Sequence, residues 1–468
     1  MSVENTHLGA ERIAALMKEC KSVYFIGIGG INMSSLAHLT HNMGYRVGGS
    51  DRCETDLTRR LESCGIAINY CHSRELAQDY DAFVYTVAIS PDNPEYVYAL
   101  EAGKPCISRA DYLGYVMTKY KRRIGIAGMH GKSTCTSMCA DVLIDSGSDP
   151  TVLSGAELPS MNGAYCVGSS PNFVFEACEY MDSFLDFNPT VAVILNIEMD
   201  HVDYFKSMEQ IKSSFAKYAS LVGKDGYAIY NSDDENVLDA LKTFEGNRIS
   251  FAINDRSATV RAEKIEKNLC GYSFDIIYEK SKLCHVDLRV SGYHNIYNAL
   301  AAASACVLCG LTGEEIARGL ASFCGACRRM EYKGSVGGAD VYDDYGHHPT
   351  EIAATLRGAK EITEGRLFCV YQPHTYSRTA ALFEEFARSF EACDRVIFVD
   401  IYAAREKNTF GVSSSALAER IGERASYAHD FKAAADALAS ELIAGDVAVV
   451  MGAGDIYKVF DYLPFTEE

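Results

Sequence analysis

Apolar positions along the chain come in short runs, each followed by a stretch of helical periodicity. "SVYFI" reads as a strand, followed by glycines and a helix-like run over 33–42. "YRVGGSD" and "DAFVYTV" read as further strands, "NPEYVYALEAG" as a helix closed by Gly103, and "KPCIS" as another strand. This alternation is βαβ grammar and predicts a parallel sheet with crossover helices. The pattern restarts at Arg123, where "RIGIA" is a strand, a glycine loop follows, and "STCTSMCADVLIDSG" is an amphipathic helix ended by Gly147. "NFVFEA" and "TVAVILNIE" are apolar strands. From about 226 to 290 the texture changes, and "GYAIYN", "RISFAI", "GYSFDIIYE" and "CHVDLRV" read as antiparallel strands. Helices over 295–309 and 313–323 follow. A third restart near Cys327 gives strands "DVYDD", "RLFCVYQ", "RVIFVD" and "DVAVVMGAG" and helices "EIAATLRGAK", "TAALFEEFARSF" and "DFKAAADALASELIAG".

The expected fold is therefore α/β, with three consecutive α/β domains over 1–107, 108–325 and 326–468. The first and third are Rossmann-like, and the central one is P-loop ATPase-like with a partly antiparallel portion. A chain of 468 residues is too long for one ordinary core, which agrees. At 48% hydrophobic and 23% charged it has the composition of a globular protein. No apolar run approaches the roughly 18 residues of a membrane span. The N-terminus lacks the basic and apolar regions of a secretory signal, so the cytoplasm is expected. A net charge of −19 argues against a nucleic-acid partner. The seventeen cysteines are scattered, with one loose Cys324-x-x-Cys327 pair and no second pair at zinc spacing. They read as reduced small hydrophobes.

The chemistry concentrates in "GIAGMHGKSTCTS", where strand, tight glycine turn, lysine, serine and helix follow one another as in a phosphate-binding loop. The first glycine is two residues closer than the pattern G-x-x-x-x-G-K-[ST] requires. The loop directs Gly128, Met129, His130, Gly131, Lys132, Ser133 and Thr134 at a triphosphate. Acidic clusters follow two nearby strands, Glu176 and Glu179 after the first, Asn196, Glu198, Asp200 and His201 after the second. Hard ligands so placed suit Mg²⁺. In the first domain Gly27, Gly29 and Gly30 nearly complete G-x-G-x-x-G, with Asn32 in place of the last glycine and Asp51 ending the next strand. An NAD site has the same appearance.

Together, "FIGIGGINMSSLA", "GMHGKST", "EACEYMDSFL", "NIEMDHVDYF", "GYHNIYNALAA", "RRMEYKG", "DDYGHHPTEI", "QPHTYSRT", "DIYAARE" and "MGAGDI" make the chain resemble the Mur ligases of peptidoglycan synthesis, in order and over almost its whole length. The resemblance implies an ATP-dependent amide ligation. The lactyl carboxylate of UDP-N-acetylmuramate takes the γ-phosphate of MgATP, and the amine of L-alanine displaces it. An alternative within the family joins a ready-made tripeptide instead. An NAD-dependent oxidoreductase leaves the Lys132 loop and "DDYGHHPTE" unexplained, and intact Lys132, Glu179, His201 and Arg329 argue against a silent binding protein.

The resemblance also implies roles. Lys132 meets the β/γ-phosphates, and Ser133, Glu179 and His201 hold metal. His294, Asn295 and Asn298 face adenine, Arg329 meets the γ-phosphate with Arg328 as fallback, and Asp344 faces the nucleotide. Tyr345, beside Asp344, is assigned with His347, His348 and Arg378 to the amino acid. The first domain takes the UDP-sugar through Gly27, Gly29, Gly30, Asp51, His72, Asn93 and Arg109, with the diphosphate on the turn. A monomer or weak dimer is expected, with no membrane partner. The chain departs from the family pattern at Met129 (threonine), Met330 (phenylalanine), Thr375 (arginine) and Val87 (serine), and no carbamylated lysine is assigned, since Ala216 stands near its place with Lys212 and Lys217 close by.

Overall fold

The structure is a computed structural model describing residues 3–201, 204–268, 271–404 and 406–466. It holds three sheets, of five, ten and six strands. The first is fully parallel, in spatial order Ala67–Asn69, Arg46–Ser50, Ser22–Ile26, Ala82–Tyr85, Cys106–Ser108. Ser22–Ile26 is buried at every position because helices cover both faces, so it reads as a continuous apolar run rather than an alternating one. Chain order reverses between Ser22–Ile26 and Ala82–Tyr85, and a crevice opens beyond their carboxyl ends.

In the ten-stranded sheet Arg122–Ala127 lies between Val191–Ile194 and Asn172–Glu176, all parallel. Reversal of chain order around it again places a crevice at its carboxyl end, where the glycine loop begins. The expectation of antiparallel strands from 226 onward is corrected here. Tyr227–Asn231 and Asn247–Ala252 are parallel to Val191–Ile194, and pairing turns antiparallel only from Val260–Lys267 outward. The reason is connection length. The helices Met208–Ser220, capped by Ser207, and Glu235–Leu241, capped by Asp234, provide crossovers. The last three strands are joined by short turns instead.

The third sheet runs Glu331–Val336, Ala339–Asp344, Val447–Met451, Leu367–Tyr371, Arg395–Phe398, Ala425–Tyr427, parallel except for the first strand. The single helix expected over "TAALFEEFARSF" is two, Tyr376–Ala381 and Phe383–Ser389, broken at Leu382 with φ −118° and ψ 30°. All sixteen described cysteines are free. No helix among the described residues is long and apolar enough to cross a membrane.

Polar contacts dock the sheets on one another. The helix Arg109–Met117 is buried along nearly its whole length. Its Asp111 accepts hydrogen bonds from Thr6 Oγ1 (2.7 Å), the Leu8 N–H (2.6 Å) and the Gly9 N–H (3.0 Å), while His7 Nδ1 reaches Asp186 of the ten-stranded sheet's domain at 2.6 Å. On the other side Thr350 Oγ1 donates to Glu198 at 2.7 Å and Arg378 Nε to Asp200 at 3.2 Å.

Candidate active site

The glycine loop leaves its strand through Gly128 (φ 148°) and enters the helix Lys132–Asp145 through Gly131 (φ 82°). Gly131 is required twice over: its φ is left-handed, and a Cβ there would lie 2.6 Å from Asn298 Oδ1. Asn196 holds the loop backbone in both directions, accepting from the His130 N–H (2.8 Å) and donating to the His130 carbonyl (2.9 Å). The Lys132 ammonium folds back onto the carbonyls of Gly128 (2.6 Å) and Met129 (3.1 Å) and lies 3.1 Å from Glu179. Burial opposes its charge, but the fully buried Glu179 carboxylate outweighs burial and raises its pKa. Lys132 and His201 in turn hold Glu179 below the usual carboxylate range against its burial.

Ser133 Oγ donates to Glu176 at 2.8 Å, and His201 Nε2 to Glu179 at 3.0 Å. A hydroxyl and two carboxylates are hard oxygen donors of the kind a divalent cation takes, so Ser133, Glu176 and Glu179 fit Mg²⁺, with His201 beside them. His201 has φ 49°, and Met181 and Asp182 (φ 54° and 56°) bend the segment after Glu179. Tyr204 OH donates to Asp182 at 2.7 Å and the Tyr204 N–H to the His201 carbonyl at 2.8 Å, tying the two segments together.

A cavity of about 670 Å³ opens beside the loop, between the central and third domains. His130, Gly131, Thr134, His294, Asn295, Asn298, Arg329 and Asp344 line it, bringing together candidates from three distant motifs. Asn298 Nδ2 donates to Asn295 Oδ1 (2.9 Å) and Asn295 Nδ2 to the Ser291 carbonyl (2.7 Å), so one buried face serves both the helix start and the cavity. Arg328 and Arg329 separate clearly. Both lie over the Tyr345 ring (5.0 and 5.3 Å), but Arg328 is committed to Asp343 (3.2 Å) and the Gly452 carbonyl (2.7 Å), whereas Arg329 lines the cavity. Asp344 accepts from the N–H groups of Gly346 (2.8 Å) and Met330 (3.0 Å), and burial pushes its carboxyl up to about 6.

The third-domain residues gather at the start of the helix Pro349–Ile362. His348 caps that helix through Nδ1, which accepts from the Thr350 N–H (3.3 Å), while its Nε2 donates to the Met199 carbonyl (3.2 Å). His347 donates from Nδ1 to the Tyr345 carbonyl (3.2 Å), and burial pushes its pKa down to about 3. Burial and the Arg378 guanidinium push His374 down to about 4. Arg378 is buried, with Nε on Asp200 and Nη1 3.3 Å from His374 Nδ1.

In the first domain Gly27, Asp51, His72 and Asn93 line a separate cavity of about 470 Å³. Its turn is already satisfied from within. The N–H groups of Gly27 and Ile28 donate to the Ser50 carbonyl (2.8 and 2.9 Å), and that of Gly29 to Asp51 Oδ2 (2.7 Å). Gly30 is the N-cap residue of the helix Ile31–Asn42. Asn93 caps the helix Pro94–Glu101, accepting from the N–H groups of Glu95 (3.0 Å) and Tyr96 (3.2 Å). His72 Nδ1 is 2.9 Å from the fully buried Glu95. Arg109 lies away from this cavity, half-buried beside Cys178 and Asp186, and burial lowers its pKa.

Asn196, Glu198 and Asp200 stand in the acidic cluster that the sequence marks beyond a strand, without individual roles, and Glu351 was passed over. Glu351 carried a local signal, since His348-x-x-Glu351 has the spacing of a helix capping box. The pairing of Asp200 with Arg378 carried none, because the two lie 178 residues apart.

Three family models match the chain in order: Mur ligase family, catalytic domain, over residues 22–121; Mur ligase middle domain, over 126–306; and Mur ligase, glutamate ligase domain, over 328–454. The UDP-N-acetylmuramate–L-alanine ligase of Acetivibrio thermocellus is 45% identical over 443 residues, 94% of each chain. That of Clostridium novyi is 46% identical over 442 residues, 94% of this chain and 96% of its own. Among solved structures, the UDP-N-acetylmuramate–alanine ligase from Thermotoga maritima superposes with a TM-score of 0.77 at 26% identity, covering 94% of this chain and 98% of that one. A murein peptide ligase from Psychrobacter arcticus shares the fold, with a TM-score of 0.70 at 24% identity over 96% of this chain and 100% of its own. The chain belongs to the Mur ligase family.

Proposed function

We propose that this chain joins L-alanine to the lactyl carboxylate of UDP-N-acetylmuramate at the expense of ATP, through an acyl phosphate, in peptidoglycan precursor synthesis. The observation that carries this is the single cavity of about 670 Å³ shared by the phosphate loop, the Asn295 and Asn298 face, and Arg329 and Asp344 of the third domain. Relatives 45% and 46% identical that bear this activity in their names support it. Residues 1–107 take the UDP-sugar, 108–325 the nucleotide and 326–468 the amino acid.

A carboxylate is a poor electrophile, and phosphorylation supplies its leaving group. The protein's task is positioning and charge neutralisation rather than covalent help. Lys132 leaves its carbonyls to grip the β/γ-phosphates, and the Gly131 turn and helix start direct N–H groups at the same oxygens. Arg329 approaches from the third domain toward charge developing on the transferring phosphoryl group. Asn295 and Asn298 offer amide groups to the adenine edge. Ser133, Glu176, Glu179 and His201 would hold Mg²⁺, which when bound neutralises phosphate oxygens. Asp200 and His374 fix the plane of Arg378, which presents its remaining N–H edge to the alanine carboxylate. His347 and His374 are neutral at pH 7 and so do not repel the alanine ammonium.

Phosphate release should require ATP, Mg²⁺, UDP-N-acetylmuramate and L-alanine together. Equal release without alanine, or faster release with the tripeptide L-alanyl-γ-D-glutamyl-meso-diaminopimelate in its place, would contradict the assignment.

A further inference from the structure

We infer that His130 is a positioning residue whose imidazolium pins the third domain onto the phosphate loop. It goes beyond the proposed function and rests on it only for what the loop binds. Asn196 clamps the His130 backbone on both sides, so the side chain leaves the loop toward the third domain. There it sits between carboxylates of two domains: Nε2 lies 3.4 Å from Glu198 of the central domain, and Nδ1 3.4 Å from Glu351 of the third. Both ring nitrogens are buried, and neither makes a hydrogen bond of ordinary geometry. An imidazole in that position is held by charge. Each carboxylate is itself fixed across or within the interface, Glu198 by Thr350 Oγ1 (2.7 Å) and Glu351 by the N–H groups of His347 (3.0 Å) and His348 (3.3 Å).

The His348 ring covers the face of His130, with centroids 4.8 Å apart and planes 33° apart. Ligand atoms of His130, Glu198 and His348 all lie within 4.8 Å of one another, a spacing that also suits a metal ion. Against a metal, both His348 nitrogens are engaged, with the Thr350 N–H and the Met199 carbonyl, and the His348 ring packs on His130 at a 33° tilt. Coordination through either His348 nitrogen would break the hydrogen bond that nitrogen makes.

Two carboxylates facing one imidazole call for a proton on it. Burial works against that charge, but Glu198 and Glu351 outweigh burial and push the His130 pKa up to about 9. The other titratable groups facing this cluster, among the described residues, are His347, 3.4 Å from Glu351, and His348 at the start of the third-domain helix, Asp200 from the central domain and, across the cavity, Arg329 and His294. The bridge is thus complete below the ordinary histidine pKa of about 6.5 and lost as pH rises through about 9.

The test is small-angle scattering of the full chain in EDTA, without substrates, at pH 6.5 and 9.5. Wild type should be compact at the lower pH and expanded at the higher. His130→Gln and Glu351→Gln should be expanded at both, and the double variant no more so than either single one. His130→Lys, which keeps its charge, should stay compact at pH 9.5. Circular dichroism establishes that each variant is folded. In turnover, His130→Gln should raise KM for L-alanine roughly tenfold, because the third domain builds the amino-acid side. A His130→Gln protein as compact as wild type at both pH values would overturn the inference. So would compaction of wild type by Zn²⁺ alone that His130→Gln abolishes, since that marks a metal site. Absence of ligase turnover from wild type would sink the proposed function and leave the scattering result standing.

Discussion

The turns at Gly27–Gly30 and Gly128–Gly131 both leave a buried parallel strand and enter a helix at a point where chain order reverses, yet opposite charges fill them. In the first, Asp51 accepts the Gly29 N–H at 2.7 Å, and Ser50 accepts those of Gly27 and Ile28. In the second, the Lys132 ammonium lies across the Gly128 and Met129 carbonyls. Both run strand, glycine turn, helix, but the N-cap is extended at Gly30 (φ −67°) and left-handed at Gly131 (φ 82°), and the side chain that meets each turn decides what it receives. A carboxylate acceptor suits the hydroxyl groups of a sugar, and an ammonium suits a triphosphate tail. The diphosphate expected on the first turn finds three of its N–H groups already committed.

The contrast can be broken most severely at the lysine. Lys132→Ala should lower kcat by at least about 10³-fold while the circular dichroism spectrum stays that of wild type, as expected when a phosphoryl-transfer cation is removed. Arg329→Ala should cost about 10²-fold in kcat, measured as ADP release, because Arg329 lines the cavity without an ion-pair commitment like that of Arg328. The first turn should respond differently. Asp51→Asn should raise KM for UDP-N-acetylmuramate about tenfold and leave KM for ATP unchanged in initial-rate assays, a pure binding effect. The smallest effect belongs to the neighbouring arginine. Arg328→Ala should keep kcat within about threefold and lower the thermal midpoint by about 2–4 °C, since its partners Asp343 and Gly452 are structural. If Arg328→Ala and Arg329→Ala exchanged these behaviours, the division of labour drawn from their contacts would be wrong.

Much of this was legible in the chain because the parallel strands are short, apolar and bounded by glycine, as in Ser22–Ile26, Arg122–Ala127 and Val447–Met451. The loop at Lys132 was legible because strand, turn and helix lie within about a dozen residues. Parallel pairing of Tyr227–Asn231 and Asn247–Ala252 was not, since direction depends on the intervening crossover helices rather than on the strands' own pattern. The place of Arg109 beside Asp186 was hidden for a related reason: the helix it begins packs across a domain junction. The bridges from Glu198 to Thr350 and from Asp200 to Arg378 join residues 152 and 178 positions apart, and no local spacing signals them.

Isotope transfer from the acid reports whether its carboxylate is phosphorylated. UDP-N-acetylmuramate carrying ¹⁸O in both lactyl carboxylate oxygens is incubated with the chain, ATP, Mg²⁺ and L-alanine, and the phosphate and amide are analysed by mass spectrometry. An acyl phosphate leaves one ¹⁸O in the released phosphate and one in the new amide. Phosphate free of ¹⁸O would contradict the account, because the γ-phosphoryl group would then have gone to water.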